Sequence, residues 1–183
     1  MKKFELTSET KINIFGKKLF RIKALVSFGV VKTGETGGWV EKEENVNQSG
    51  DAWVFGNAEV FGNAEVFGNA RVSGDAEVSG NARVSGDAEV FGNARVSGNA
   101  RVFGNAEVFG NADYTTIHGF GTQFRTTTFF RCKDKQVKVS CGCFYGTIPE
   151  FREQVKNTRD GKITEEYLMI ADLMEKHFAE EAK

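Results

Sequence analysis

One proline, three cysteines and two histidines among 183 residues, with 24 basic side chains nearly balancing 25 acidic ones, leave little room for several classes of protein. A single Pro149 excludes Pro-rich linkers and collagen-like segments. Three cysteines, all between Cys132 and Cys143, are an odd number in one short segment and not a secretory disulfide framework, which points to a reducing compartment. No run approaches the roughly 18 consecutive apolar residues of a membrane helix. Met1-Lys2-Lys3 leads into Phe4-Glu5-Leu6-Thr7 without an apolar h-region, so export by that route is not expected and a cytoplasmic location is. No segment is basic enough to announce nucleic acid.

Glycine is abundant, and it is periodic. From Gly50-Asp51-Ala52 to Gly110-Asn111-Ala112 the triplet Gly-Asn/Asp-Ala recurs every six residues, eleven times without a gap. Valine keeps the same period, two positions after each alanine from Val54 to Val108, so Ala and Val point to one side of a short strand. The residue between them points outward and is almost always Glu or Arg, Trp53 being the exception. Gly tolerates positive φ and Asn is the next most tolerant, so each hexad turns a corner. Three corners close an 18-residue coil, the signature of a left-handed parallel β-helix in a mainly β protein, with eleven hexads giving three to four coils.

An 18-residue period fixes which outward residues stack. The expected ladders are Trp53, Arg71, Glu89, Glu107; Glu59, Glu77, Arg95; and Glu65, Arg83, Arg101, with opposite charges meeting at Arg71/Glu89, Glu77/Arg95 and Glu65/Arg83. Such exposed pairs contribute about 0 to 1 kcal/mol each and read as register-keeping. After each valine comes either a serine or one of Phe55, Phe61, Phe67, Phe91, Phe103 and Phe109. Exposed phenylalanines on a small prism point to an oligomer or partner surface, or else to coverage within the chain.

The flanking segments differ in composition. Residues 1–49 read as an N-terminal β cap, 50–112 as the β-helix and 113–183 as a C-terminal ββαα module. In the cap, 11–15 and 19–25 form a hairpin around Gly16-Lys17-Lys18 that closes the prism, with Trp39 as a plug over the Ala/Val core. In the tail, strands 126–132 and 137–143 are joined by a two-residue turn at Asp134-Lys135, pairing Phe130 with Val139 and Cys132 with Val137. That register gathers Thr128, Phe130, Cys132, Val137, Val139, Cys141 and Cys143 on one face, and Phe129, Arg131, Lys133, Lys138 and Ser140 on the other. Thr147-Ile148-Pro149-Glu150 is a capping box that starts a helix. A second helix, capped by Thr164, carries an apolar stripe of Tyr167, Ile170, Ala171, Met174 and Phe178.

Candidate chemistry is sparse. His118, just past the last hexad, is the sole candidate base near the coils, and a lone histidine at such a junction is more often structural. Cys132 and Cys141-Gly142-Cys143 are poorly spaced for zinc and read as buried thiols in the hairpin core. No phosphate loop, nucleophile elbow or paired-carboxylate cleft is recognisable, so neither metal nor cofactor is expected. Phe129 among Arg131, Lys133 and Lys138 on the outer hairpin face is a candidate contact for a phosphate backbone or an acidic protein, a solvated face being the simpler account.

The hexads resemble those of hexapeptide-repeat acyltransferases. That resemblance implies a homotrimer, a histidine base between subunits and acyl-CoA along the prism, but no histidine lies between residues 1 and 117 and no long loop interrupts the coils. Gly37-Gly38-Trp39-Val40-Glu41 followed by Gly50-Asp51-Ala52-Trp53-Val54 and uninterrupted hexads looks like a group of bacterial and prophage proteins, acetyltransferase-like by their repeat. The tail, with Cys141-Gly142-Cys143-Phe144 and Tyr167-Leu168-Met169-Ile170-Ala171-Asp172, resembles a terminal module of phage-encoded proteins. The expectation is a non-enzymatic, oligomeric scaffold in the cytoplasm of a bacterial host that binds a protein, as a phage accessory inhibiting a host or defence protein. An acyl-CoA-dependent acyltransferase and a nucleic-acid-binding module are the alternatives.

Overall fold

Each corner of the repeat needs a backbone conformation that only glycine adopts cheaply, and Gly50 through Gly104 all take it, with φ between 59° and 72°. The computed structural model describes residues 2–179. Strands β1 (Phe4–Ile12), β2 (Lys18–Ala24) and β3 (Thr36–Val40) precede ten two-residue strands, β4 to β13, running from Trp53–Val54 to Glu107–Val108. A second sheet follows, β14 (Tyr114–Phe120), β15 (Arg125–Arg131), β16 (Val137–Cys141) and β17 (Phe144–Thr147), then helices α1 (Ile148–Thr158) and α2 (Gly161–Phe178).

The rungs stack in parallel on three faces. Val40, Val60, Val78 and Val96 line the first; Val46, Val66, Val84 and Val102 the second; Val54, Val72, Val90 and Val108 the third. All these valines are essentially buried, as are the hexad alanines from Ala52 to Ala106. At about 1.5–3 kcal/mol per buried aliphatic side chain, this narrow column holds the solenoid together. The three outward ladders stack as the period requires, and the ion pairs close at 4.0 Å for Arg71–Glu89, 3.4 Å for Arg95–Glu77 and 3.2 Å for Arg83–Glu65.

The limits of the solenoid differ from those of the hexads. Parallel pairing begins at Trp39–Val40, which stacks on Glu59–Val60, and Val46 bridges to Val66, so the first coil lies largely before Gly50 and four coils are complete. Gly38 stands where a hexad has alanine, because a Cβ there would come within 2.5 Å of Val54 Cγ1 and 2.7 Å of Ala58 O. Trp39 is therefore a rung residue and not a plug; it is buried against Leu19 and Phe61 on the outside of the first face. At the other end Ala112 is exposed, and the eleventh hexad leaves the coil.

Both ends are covered by chain. β1 and β2 extend the first face into a six-stranded sheet, and Phe4, Ile22, Ala24 and Val31 join the core. Trp53, placed outward by the period, is fully buried because Phe4 and Phe28 close over it edge-on, with ring centroids 5.8 and 5.3 Å away. Lys3 donates from a buried ammonium to the carbonyls of Ala52 (2.9 Å) and Gly50 (3.3 Å), and burial pulls its pKa down to about 8. At the far end, Phe130 and Cys132 enter the solenoid core, Cys132 bridges antiparallel to Ala106, and Lys133 N donates to Asn105 O at 3.1 Å.

The C-terminal sheet has four antiparallel strands, not two, in the order β14-β15-β16-β17. Its central register is one residue away from the expected one: Phe129 pairs with Val139, Phe130 with Lys138 and Arg131 with Val137. The cause is Lys135, whose φ of 63° makes a three-residue turn closed by Lys135 N to Cys132 O and Cys132 N to Gln136 O. Phe129, Arg131, Val139 and Cys141 thus share the helix side, while Thr128, Phe130, Cys132, Lys138 and Ser140 share the prism side. The stripe on α2 packs as expected and the capping box of α1 is formed, but α2 begins at Gly161 and Thr164 does not cap it.

Candidate functional site

Of the six corner phenylalanines, Phe109 alone is exposed; the others are covered in part or fully by the same chain. Phe61 packs with Leu19 and Trp39, Phe55 lies against the solenoid core, and Phe103 packs in tilted contact with Tyr145 (4.5 Å) and Phe130 (5.9 Å). Phe91 meets Phe109 edge-on at 5.2 Å, and Phe67 is half-buried. Coverage within the chain thus accounts for Phe61 and Phe103, and Phe109 stays at the surface.

The hairpin face of Phe129, Arg131, Lys133 and Lys138 does not exist as a surface either. Phe129 is fully buried against Phe151 on α1. Arg131 ion-pairs with Asp113 (3.3 Å), donates to Phe178 O (2.9 Å) and lies over the Phe178 ring. Lys133 holds Glu89 of the prism at 2.7 Å, and Lys138 lies on the opposite side of the sheet. The one-residue shift of register divided the four. Phe129 and Phe130, on opposite faces of β15, are both fully buried, so the apolar pattern does not choose between the two registers.

The cysteines are separated in the same way. Cys132 is buried in the prism end, where desolvation raises its thiol pKa to about 11; Cys141 faces the helices; Cys143 is exposed. Gly142, with φ 62°, and Cys143 form a tight turn between β16 and β17, so the Cys-x-Cys pair is not one face of a strand. Among the described residues no group of three or more His, Cys, Asp and Glu is placed to hold a metal ion.

Two features of the C-terminal unit stand at the surface. On α2, Met169 (68% exposed) and Leu173 (57% exposed) stand one turn apart, away from the buried stripe. Arg152 of α1 pairs with Asp172 and with Glu175 (2.7 Å), so this apolar pair is bordered by a fixed polar network. The second feature is an open cleft of about 800 Å³ where the C-terminal sheet overhangs the second face of the prism. Its floor is the column Asn63, Asn81, Asn99 and the ladder Glu65, Arg83, Arg101, one carboxylate beside two guanidiniums; His118, Phe124 and Arg125 form its far wall. His118 is exposed, with Thr126 Oγ1 3.4 Å from Nδ1, and has no carboxylate within hydrogen-bond reach among the described residues to orient it as a base. Sequence reasoning missed this cleft because it exists only through the docking of two segments far apart in the chain.

A stack of 18-residue coils on three faces, closed at each end by chain, is a β-solenoid. Residues 88–103 and 94–110 are similar to the family model of the YdcK beta solenoid repeat, and the fold is a β-solenoid of about four turns. The match lies within the third and fourth coils and covers neither cap. No curated protein matches the chain. No helix among the described residues is long and apolar enough to cross a membrane.

Proposed function

We propose that the protein is a non-enzymatic scaffold whose solenoid carries the C-terminal sheet-and-helix unit and offers it to a protein partner. The observation that supports this reading is the shared core: Phe130 and Cys132 are part of the solenoid interior, while Met169 and Leu173 on the far side of the same unit are exposed. Anchored in this way, α2 has a fixed position relative to the prism, and a partner that recognises it meets a preorganised surface. An exposed Met beside Leu on a helix is an adaptable apolar contact of the kind used in helix-mediated recognition. The resemblance of the tail to phage-encoded modules supports an accessory role in a bacterial cytoplasm, with a host or defence protein as target.

The test is affinity capture from bacterial lysate with the intact chain beside Met169→Glu/Leu173→Glu, followed by measurement of the purified pair. A partner held by the intact chain and lost in the double variant, with an unchanged melting temperature, is the expected result. Equal retention by both chains would remove α2 as the recognition surface.

A further inference from the structure

Two arginines in the cleft, Arg101 and Arg125, form no ion pair among the described residues. In the ladder Glu65, Arg83, Arg101, Glu65 reaches Arg83 at 3.2 Å, and Arg101 stacks directly on Arg83 in register, a like-charge contact that is unfavourable by itself. Neither Arg101 nor Arg125 has a carboxylate within 4.0 Å among the described residues. Arg125 lies across Gly142, where a Cβ would stand 2.5 Å from its Nη1, so the turn glycine leaves room for the guanidinium beside the cleft.

The floor adds neutral donors. Lys42 Nζ donates to Asn63 Oδ1 (3.1 Å), Asn63 Nδ2 to Asn81 Oδ1 (3.3 Å), and Asn81 Nδ2 to Asn99 Oδ1 (3.0 Å). This chain of carboxamides is polarised by the ammonium at one end, and its last amide NH2, on Asn99, has no partner among the described residues. The other two corner columns carry aspartates, at Asp51 and Asp87 in one and Asp75 in the other; the column under the cleft has none. At the lip, Phe124 is 66% exposed and held at φ 46°, a conformation uncommon for a non-glycine residue. Two guanidiniums without an ion pair among the described residues and a terminal amide suit phosphate oxygens, and an exposed ring suits a planar group.

We propose that this cleft is a binding site for a nucleoside phosphate, with the phosphates on Arg101, Arg125 and Asn99 and the base against Phe124. Its volume is that of a small-molecule site. The test uses the intact chain and titrates ADP, inorganic pyrophosphate and adenosine by calorimetry, with alkylation of exposed Cys143 as a second readout. ADP is expected to bind saturably and slow Cys143 alkylation, pyrophosphate to bind more weakly, and adenosine to give no saturable signal. Arg101→Gln/Arg125→Gln, both at exposed side chains, is expected to weaken ADP and pyrophosphate by about tenfold or more at unchanged melting temperature. Phe124→Ser is expected to weaken ADP by about fivefold and leave pyrophosphate unchanged. Absence of saturable binding by ADP and pyrophosphate at millimolar concentration, or affinity indifferent to the arginine pair, overturns the proposal. Tighter binding of a single-stranded oligonucleotide than of ADP also overturns it, in favour of a nucleic-acid groove.

Discussion

Ser73, Ser79 and Ser85 take the corner after the valine in the middle of the prism, whereas Phe55, Phe61, Phe103 and Phe109 take it in the rungs near the ends. Phe61 lies under the N-terminal hairpin and Phe103 under the C-terminal sheet, while Ser97, in the last coil but on a corner with open space beside Gly98, is bare. At Phe61 and Phe103 the corner residue matches what lies over it, whereas Phe109 is exposed and Phe67 and Phe91 are half-buried. The charged ladders follow the same division. In the middle, Glu65 and Glu77 meet arginines of the next coil; near the ends, Glu59 holds Lys11 at 2.8 Å and Glu89 holds Lys133 at 2.7 Å. One hexad thus serves as self-stacking unit in the middle and as docking surface at the ends.

The sharpest break of this comparison is to delete one large side chain at each end and one valine between them. Trp53→Ala and Phe130→Ala are each expected to cost about 3–5 kcal/mol, because each fully buried ring joins a cap to the solenoid core. Val84→Ala, at mid-prism, removes less buried carbon and is expected to cost about 1.5–3 kcal/mol. Urea unfolding followed by circular dichroism checks the order. A Val84 variant less stable than both ring variants would mean that the stack, and not the caps, limits stability.

Glycine corners test whether the coils stack as tightly in the middle as the backbone implies. Gly86 and Gly98 have nearly the same φ, 68° and 67°, yet a Cβ at Gly86 would come within 2.9 Å of Gly104 N, whereas at Gly98 nothing lies within 4 Å. Gly98→Ala is expected to cost about 1–2 kcal/mol from backbone strain alone. Gly86→Ala adds overpacking against the next coil and is expected to cost about 1 kcal/mol more. Equal midpoints in urea would show that the coils yield without penalty.

What could be read from the sequence follows the same line between middle and ends. The three ladders, their ion pairs and the buried Ala/Val column follow from an 18-residue period, because each rung contacts only its neighbours. The capping box at Thr147 and the stripe from Tyr167 to Phe178 are local patterns and were equally legible. Contacts between distant segments were not. Trp53 occupies an outward position by period and is buried by Phe4 and Phe28, which no local pattern announces. The β15–β16 register failed because Phe129 and Phe130 are both fully buried, one against helices and one against the prism, so alternation could not choose between them. β14, an edge strand that is mostly polar and partly exposed, carried no alternating signal at all.

The two ends also carry opposite pH signatures. Lys3 has its pKa lowered by burial from 10.5 to about 8, so the unfolded chain binds more protons between these values and Lys3 makes stability rise with pH from about 8 to 10.5. Cys132 has its pKa raised by burial from 9.0 to about 11, so the folded chain binds more protons there and stability falls over that window. Between about pH 9 and 10.5 the two oppose each other. Lys3→Met is expected to leave a net decline in urea midpoint with rising pH, and Cys132→Val a net rise. The same pH dependence in both variants would detach the effect from these groups.

The smallest expected effect separates ladder pairs that only stack coils from pairs that also tie a cap. Glu65 and Arg83 are each about half exposed, and Glu65→Gln is expected to change stability by about 0 to 1 kcal/mol, an effect that fades in high salt. Glu89→Gln loses both the Lys133 contact at 2.7 Å and the longer Arg71 contact at 4.0 Å. Its cost is of the same small order, but it should be coupled to Lys133 and not to the neighbouring coil. A double-mutant cycle over Glu89 and Lys133 should therefore show a larger coupling than one over Glu89 and Arg71. If the two cycles agree within error, Lys133 contributes nothing to docking beyond a surface charge, and the backbone bond from Lys133 N to Asn105 O, with the burial of Phe130 and Cys132, holds the C-terminal unit on the prism without it.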